Sequence, residues 1–394
     1  MAQIGPGEHG GSRRLALTDE DKRGRDQFVE WCKALGCAIE VDQMGNIFAR
    51  RSGRNDALAP ICMGSHLDTQ PHGGKFDGVY GVLAGLEVLR TMADAELQTQ
   101  APVEVIVWTN EEGSRFAPAM IASAVFAGVF DLEYGLSRAD QDGITIGEEL
   151  ERIGYAGTMN CGGRKLGAFF EAHIEQGPIL ERESVTIGVV GGGQGARWYD
   201  VIVRGQDAHA GSTPMSGRRD ALVGAARIID EIQGLALNHA PDAVSTVGQV
   251  EVLPNSRNTI PGEVRFSVDL RHFDAQLLAT MADELKALCE KRTTLDGLEL
   301  DFQEIWYQPP VHFDKDCIGA VAGAATSLGL SSRAIFSGAG HDACLISRVA
   351  PTAMIFVPCA GGISHNEEES ATPEDLAAGC DVLLHAVLAR AKRV

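Results

Sequence analysis

The chain has 394 residues, 44% hydrophobic and 22% charged, a balance that excludes disorder and fibrous repeats and points to two or three globular domains. A formal charge of -20 with no stripe rich in Lys or Arg argues against nucleic acid as a partner. The longest mostly apolar stretch, residues 117–130, is too short to cross a bilayer, and the Gly-rich residues 1–11 lack the apolar core of a signal peptide; a cytoplasmic location without membrane attachment is expected.

In chain order, residues 59–64 read as a strand, 81–95 as a helix, and 103–109 and 168–174 as strands, with further strands at 333–336 and 353–357. Apolar runs alternating with helical patterns predict an α/β layer around a mostly parallel sheet. Polar residues close the strands: His66, then Asn110, Glu111 and Glu112, then His173, then His341 and His365. Open α/β sheets bind ligands beyond the carboxyl ends of their strands, so these side chains are predicted to converge in one crevice. The nine cysteines contain no C-x-x-C pair and read as reduced, mostly buried thiols.

Residues 195–308 follow another pattern: strand 197–204, helix 218–233, strands 245–253 and 263–271, helix 275–291 and strand 298–307. This β-α-β-β-α-β order is ferredoxin-like. It is predicted as a domain inserted into the first one, which comprises residues 1–194 and 309–394. The Gly-rich run 191–195 and the Gln308-Pro309-Pro310 step serve as hinges.

A neutral imidazole and a carboxylate together suit zinc or a similar ion, and a second carboxylate fixes the imidazole by accepting its other N–H. The run Gly64-Ser65-His66-Leu67-Asp68-Thr69, followed by Gly73-Gly74-Lys75-Phe76-Asp77-Gly78, offers His66 and Asp77 as ligands, with Asp68 to orient His66. Alone, His66 and Asp68 read equally as a strand end closed by a turn hydrogen bond. Adjacent acids in extended chain point opposite ways, so one of Glu111 and Glu112 can ligate while the other takes a proton; alone, they read as a solvated pair. His173 and His365 are single histidines, a kind that usually serves structure. Their shared placement after strands gives the set its meaning. Five such ligands exceed the three protein ligands of one catalytic zinc, so two ions sharing Asp77 are predicted.

These runs resemble the amidase family that includes N-carbamoyl-L-amino-acid hydrolases, β-ureidopropionase and allantoate amidohydrolase, within the clan of two-metal aminopeptidase-like enzymes. The likeness spans nearly the whole chain. Its carriers include Gly64-Ser65-His66-Leu67-Asp68-Thr69-Gln70-Pro71, Gly74-Lys75-Phe76-Asp77-Gly78, Asn110-Glu111-Glu112-Gly113-Ser114-Arg115-Phe116 and His173-Ile174-Glu175-Gln176-Gly177-Pro178. Further carriers are Ala208-His209-Ala210-Gly211-Ser212-Thr213-Pro214-Met215, Asn258-Thr259-Ile260-Pro261-Gly262, Ser337-Gly338-Ala339-Gly340-His341-Asp342 and Ser364-His365-Asn366.

The resemblance implies one ion held by His66, Asp77 and His173, a second held by Asp77, Glu112 and His365, and Glu111 as general base. It implies substrate contacts from Gln176, His209, Asn258, Arg271 and the backbone of Gly340. It also implies that the inserted domain dimerises, with His209 of the partner subunit acting at the site. A mixed His/carboxylate pair accepts zinc, manganese, cobalt or nickel. Family members usually carry an additional helix before the stretch matching residues 4–14; this chain starts later, and no site residue falls in that segment.

The implied reaction is hydrolysis of the carbamoyl C–N bond of an N-carbamoyl-L-amino acid or N-carbamoyl-β-alanine to amino acid, ammonia and carbon dioxide. Arg271 suits the substrate carboxylate, which a guanidinium grips with two hydrogen bonds. Gln70-Pro71 and Gly74-Lys75-Phe76-Asp77 look more like the carbamoyl-amino-acid enzymes than like allantoate amidohydrolase, although allantoate offers Arg271 the same carboxylate. The remaining alternatives are a peptidase of the clan, against which His173, Arg271 and Asn258 speak, and a non-catalytic metal-binding scaffold, against which Glu111 speaks.

Overall fold

In the computed structural model, which describes residues 1–392, the runs richest in Val, Ile and Phe lie side by side in one sheet. Its longer strands are β1 (Ala38–Val41), β2 (Ile47–Arg51), β3 (Ile61–His66), β4 (Val103–Trp108), β5 (Ala168–Ile174), β6 (Ile187–Gly193), β7 (Ser332–Ser337) and β8 (Thr352–Val357). The order is β1-β2-β4-β3-β5-β8-β6, with β7 also paired to β6. β4, β3, β5 and β8 run parallel, while β2 and β6 flank them antiparallel and β1 pairs antiparallel with β2 at the edge. Every residue of these four central strands is buried, which is why they read as continuous apolar runs and not as alternations.

Both faces of the sheet are covered. Val103, Val105 and Val107 join Met63, Phe170 and Ile355 in the main core. The alternate side chain Trp108 meets Phe126 and Phe169, with ring centroids 5.1 and 6.0 Å apart. Helix α1 (Asp19–Ala34) is capped by Thr18, whose hydroxyl accepts from the Asp21 N–H. Helix α2 (Val79–Asp94) packs closely on the sheet because Gly81 and Gly85 carry no Cβ; at Gly81 one would fall 2.4 Å from the Ala172 carbonyl oxygen. Helix α3 (Pro373–Ala391) packs against α2 and β8.

The strand expected over 59–64 begins later and ends on His66, because Pro60 has no N–H to give a ladder. All nine cysteines are free thiols. No helix among the described residues is long and apolar enough to cross a membrane.

Contacts divide the chain into one unit of Met1–Gly192 with the stretch from His312 onward, and another of Gly193–Val311. In the second, an antiparallel sheet runs in the order Val250–Leu253, Glu263–His272, Gly195–Arg204, Glu299–Gln308. Its core joins Val201, Val203, Phe266 and Leu270 to Ile228 and Leu285 of the helices Ala221–Asn238 and Ala275–Leu295. This is the ferredoxin-like arrangement. The single strand expected over 245–253 is instead two pieces, Val244–Thr246 and Val250–Leu253, both paired with Glu263–His272 and separated around Gly248. The helix expected over 218–233 starts at Ala221, where the Asp220 carboxylate caps the Leu222 and Val223 N–H groups.

Candidate metal and catalytic site

Three neighbouring parallel strands bring the polar groups to one edge of the larger unit. His66 ends β3, Asn110 to Glu112 follow β4, and His173 is the penultimate residue of β5. Asp77 stands in the turn that leads into α2. The next residue, Gly78, has φ +65°, and a Cβ there would lie 2.3 Å from the His66 ring, so only glycine lets this turn close over the imidazole. His365 comes from the loop after β8. Asn110, Gln176 and His365 all adopt left-handed backbone, with φ of 55°, 56° and 53°. Such strain at non-glycine residues gathers where function demands a geometry.

Asp77 is the hub. Its Oδ1 lies 3.6 Å from His66 Nε2 and 3.1 Å from His173 Nε2, while Oδ2 lies 3.2 Å from His365 Nε2. Glu112 Oε2 is 3.5 Å from His365 Nε2. The ligand atoms of His66, Asp77 and His173 fall within 4.8 Å of one another, as do those of Asp77, Glu112 and His365. Glu171, His173 and His341 form a third such group. There the Glu171 oxygens already accept from Ser65 Oγ at 2.5 Å and Ala343 N at 2.9 Å, and His341 Nε2 meets Ser337 Oγ at 2.9 Å, so Glu171 and His341 are engaged by protein.

The donor set of the first two groups fits divalent ions. His66 Nδ1 faces the Asp68 carbonyl oxygen at 2.9 Å, which keeps the ring proton there and turns Nε2 toward Asp77 and toward Glu111 Oε2, 3.5 Å away. A nitrogen lone pair facing two carboxylates needs a cation or a proton between them. His173 Nδ1 is held likewise by the Ile174 carbonyl oxygen at 2.8 Å.

Burial opposes charge at each of these acids, with different outcomes. At Asp77 the imidazoles of His173, His365 and His66 outweigh burial and hold the carboxyl well below the ordinary range. At Glu111 burial dominates and Asp342, Glu112 and Asp77 reinforce it against the pull of His66, so the carboxyl is pushed well above its usual value. Burial and Asp77 raise Glu112 to about 7. A glutamate of raised proton affinity beside an imidazole is suited to taking up a proton.

Asp68 departs from expectation in which atom does what. Its carbonyl oxygen, not its carboxylate, meets His66 Nδ1, and the carboxylate oxygen is 3.8 Å away. The carboxylate instead accepts from the backbone N–H groups of Glu111 at 3.3 Å and Glu112 at 3.2 Å, because the turn after β3 lies directly against the turn after β4. Gln176, expected to touch substrate, donates its side-chain amide to Asp77 Oδ2 and Ser364 Oγ, both at 3.0 Å. Gly340 packs against Met120, whose Cε would lie 2.9 Å from an added Cβ.

The other expected contacts belong to the second unit. His209 and Asn258 sit together, since Ala208–His209 pairs with Thr259–Ile260. His209 Nδ1 accepts from the Gly211 and Ser212 N–H groups at 3.0 and 3.1 Å, which leaves the ring proton on Nε2 as a donor. Arg271 lies on the strand Glu263–His272 and grips the Asp269 carboxylate through Nε at 3.1 Å and Nη2 at 2.8 Å.

Two groups of site residues escape the sequence reading. One comprises two buried pairs, Glu171 with Ser65 and Asp342 with Ser123, each at 2.5 Å. The other is Glu369, buried at 4% exposure in a run, Asn366-Glu367-Glu368-Glu369, that looks like a solvated acidic turn. Its only cue is its distance of four residues from His365.

A sheet with candidate metal ligands at its parallel strand ends, an aspartate common to two of those groups and an inserted ferredoxin-like unit define a recognisable class: the chain belongs to peptidase family M20/M25/M40, whose family model matches residues 62–389. It is 50% identical over 394 residues to the N-carbamoyl-L-amino-acid amidohydrolase of Rhizobium meliloti, covering 100% of this chain and 95% of that one. It is 34% identical over 386 residues to the allantoate amidohydrolase of Bacillus subtilis, covering 97% and 93%. Among solved structures, an amidase of the hydantoinase/carbamoylase family from Burkholderia multivorans matches with a TM-score of 0.96 and 59% identity, covering 99% of this chain and 95% of that one.

Proposed function

We propose that this chain is a metal-dependent amidohydrolase that cleaves the carbamoyl C–N bond of N-carbamoyl-L-amino acids or N-carbamoyl-β-alanine, giving amino acid, ammonia and carbon dioxide. The observation that carries the reading is Asp77, whose two oxygens divide between His66 with His173 and His365. It stands in a chain half identical to an N-carbamoyl-L-amino-acid amidohydrolase.

Two divalent ions, zinc or else manganese, cobalt or nickel, would be held by His66, Asp77 and His173 and by Asp77, Glu112 and His365. When bound, such a pair lowers the pKa of water and polarises the carbonyl under attack. Glu111 takes the proton as water attacks the carbamoyl carbon and delivers it to the departing nitrogen, a task to which its raised proton affinity is suited. Asp68 holds both glutamates by their main chain. Arg271 exchanges Asp269 for the substrate carboxylate, Gln176, Asn258 and the Gly340 backbone complete the contacts, and the Nε2–H of His209 donates to the developing oxyanion. One such donor is worth roughly 3 kcal/mol. Residues 1–194 and 309–394 act as the catalytic domain and 195–308 as the dimerisation domain of a cytoplasmic homodimer, in which the active His209 is His209 of the partner subunit.

The test is ammonia release from N-carbamoyl-L-amino acids, N-carbamoyl-β-alanine, allantoate and a dipeptide, after the metal-free protein is reloaded separately with zinc, manganese and cobalt. Preference for a carbamoyl amino acid is expected. Activity on allantoate alone would replace the substrate and keep the site; dipeptide cleavage alone, or silence on every substrate, would overturn the proposal.

A further inference from the structure

Glu369 has no part in the reaction just described, yet it is the acid most firmly built into the loop that carries His365. Its Oε1 accepts from the backbone N–H groups of Phe76 at 2.9 Å and Asp77 at 3.0 Å, and its Oε2 accepts from Ser364 Oγ at 2.9 Å. Ser364 Oγ in turn receives the Gln176 amide at 3.0 Å and lies 3.4 Å from Asp77 Oδ2. Gly74 makes room for this carboxylate, since a Cβ there would fall 2.0 Å from Glu369 Oε1. Glu369 belongs to none of the ligand groups among the described residues.

Phe76 and Asp77 precede α2, so their N–H groups have no partner within that helix. Left unpaired in a buried place, each would cost the turn its definition, and an Asp77 free to rotate could not keep its two oxygens aimed at different histidines. One carboxylate thus ties the Asp77 turn to the Ser364-His365 turn, joining ligands 288 residues apart in the chain, from Asp77 to His365.

We propose that Glu369 is a positioning residue that sets how Asp77 is shared between the two ions, by the reach of its side chain and not by its charge. The inference rests on the functional reading above. Glu369→Gln keeps an oxygen for the two N–H groups and an N–H for Ser364 Oγ, whereas Glu369→Asp keeps the charge and is one methylene too short to span all three donors.

The two variants are compared by equilibrium dialysis against manganese or zinc with elemental analysis, and by amide hydrogen exchange of the peptide that holds Phe76 and Asp77. Glu369→Gln should retain two ions with affinity within about threefold of wild type and exchange at the wild-type rate. Glu369→Asp should hold at least one ion roughly 10- to 100-fold more weakly and exchange faster at these amides, the loss expected when one or two buried donors are left without an acceptor. Equal affinities in all three proteins, or a Gln variant as weak as the Asp variant, would overturn the inference. A wild type that binds two ions and releases no ammonia would defeat the functional proposal while the Gln and Asp comparison still stands; one that turns over carbamoyl amino acids in all three forms with equal metal affinity would defeat only the role of Glu369.

Discussion

Replacing Glu111 by Gln isolates the chemistry with little structural disturbance. The amide keeps the shape of the carboxyl, and the Glu111 N–H remains tied to Asp68 Oδ1 at 3.3 Å. The side chain faces His66 Nε2 at 3.5 Å but belongs to neither ligand group, so both groups survive the change. What disappears is the base. A positioned acid–base group contributes about 10²–10⁴-fold, and because Glu111 both takes and returns a proton in the proposed mechanism, the upper half of that range applies. The expected fall in kcat is about 10³–10⁴-fold, equivalent to about 4–5.5 kcal/mol of barrier, with KM and metal content little changed. The metal-free variant should also melt higher than wild type, because burial, reinforced by Asp342, Glu112 and Asp77, makes an ionisable carboxyl costly there and a neutral amide escapes that cost. Steady-state ammonia release, elemental analysis and calorimetry on the same samples decide the matter. Turnover within tenfold of wild type, with two ions still bound, would refute the assignment, and loss of ions would move Glu111 into the ligand set.

Asp77→Asn removes the shared charge and should abolish retention of both ions, whereas Glu112→Gln should lose only the ion it shares with His365; elemental analysis after dialysis that finds one ion in each would contradict the bridging role. Arg271→Lys gives up the planar fork and should raise KM roughly 10- to 100-fold with kcat within a few-fold; an equal loss on a carbamoyl amine lacking the carboxylate would detach Arg271 from carboxylate recognition. Glu149 is held below its ordinary value by the Arg152 hydrogen bond, against burial, with further help from Arg115. A depressed folded-state pKa contributes stability above the unfolded value of about 4.3 that is lost as pH falls through the folded value. Glu149→Gln should therefore melt below wild type near neutral pH, the gap closing below about pH 4; a gap unchanged in thermal scans across that window would refute the linkage.

The central strands were legible because burial on both faces forces a continuous apolar run, and β4 and β5 follow such runs within a residue at either end. β6 was not: its last three residues, all glycine, fall in the run 191–195 that reads as a hinge, and its pairing with β8 and β7 makes Ile187–Gly193 a strand. The broken strand around Gly248 fails for a related reason, since a single glycine in an apolar run does not say whether the backbone bends there.

Within the site, legibility follows the same division between local and tertiary causes. His66, Glu111, Glu112 and His173 are fixed by strands whose ends the sequence marks, so their convergence follows from topology alone. Asp68 was found at the right place with the wrong atom, because a two-residue separation brings both its carbonyl and its carboxylate near His66, and the choice is made by the backbone of Glu111 and Glu112 arriving from β4. Glu369 gave no local sign at all: Glu368 beside it is exposed, and what buries Glu369 is the glycine at position 74 and two N–H groups from another part of the chain. Residues that bear ligands can be read from strand ends, whereas residues that hold two loops together become visible only when both loops are in place. That is why a carboxylate needed for its reach hides so well in a run of acids.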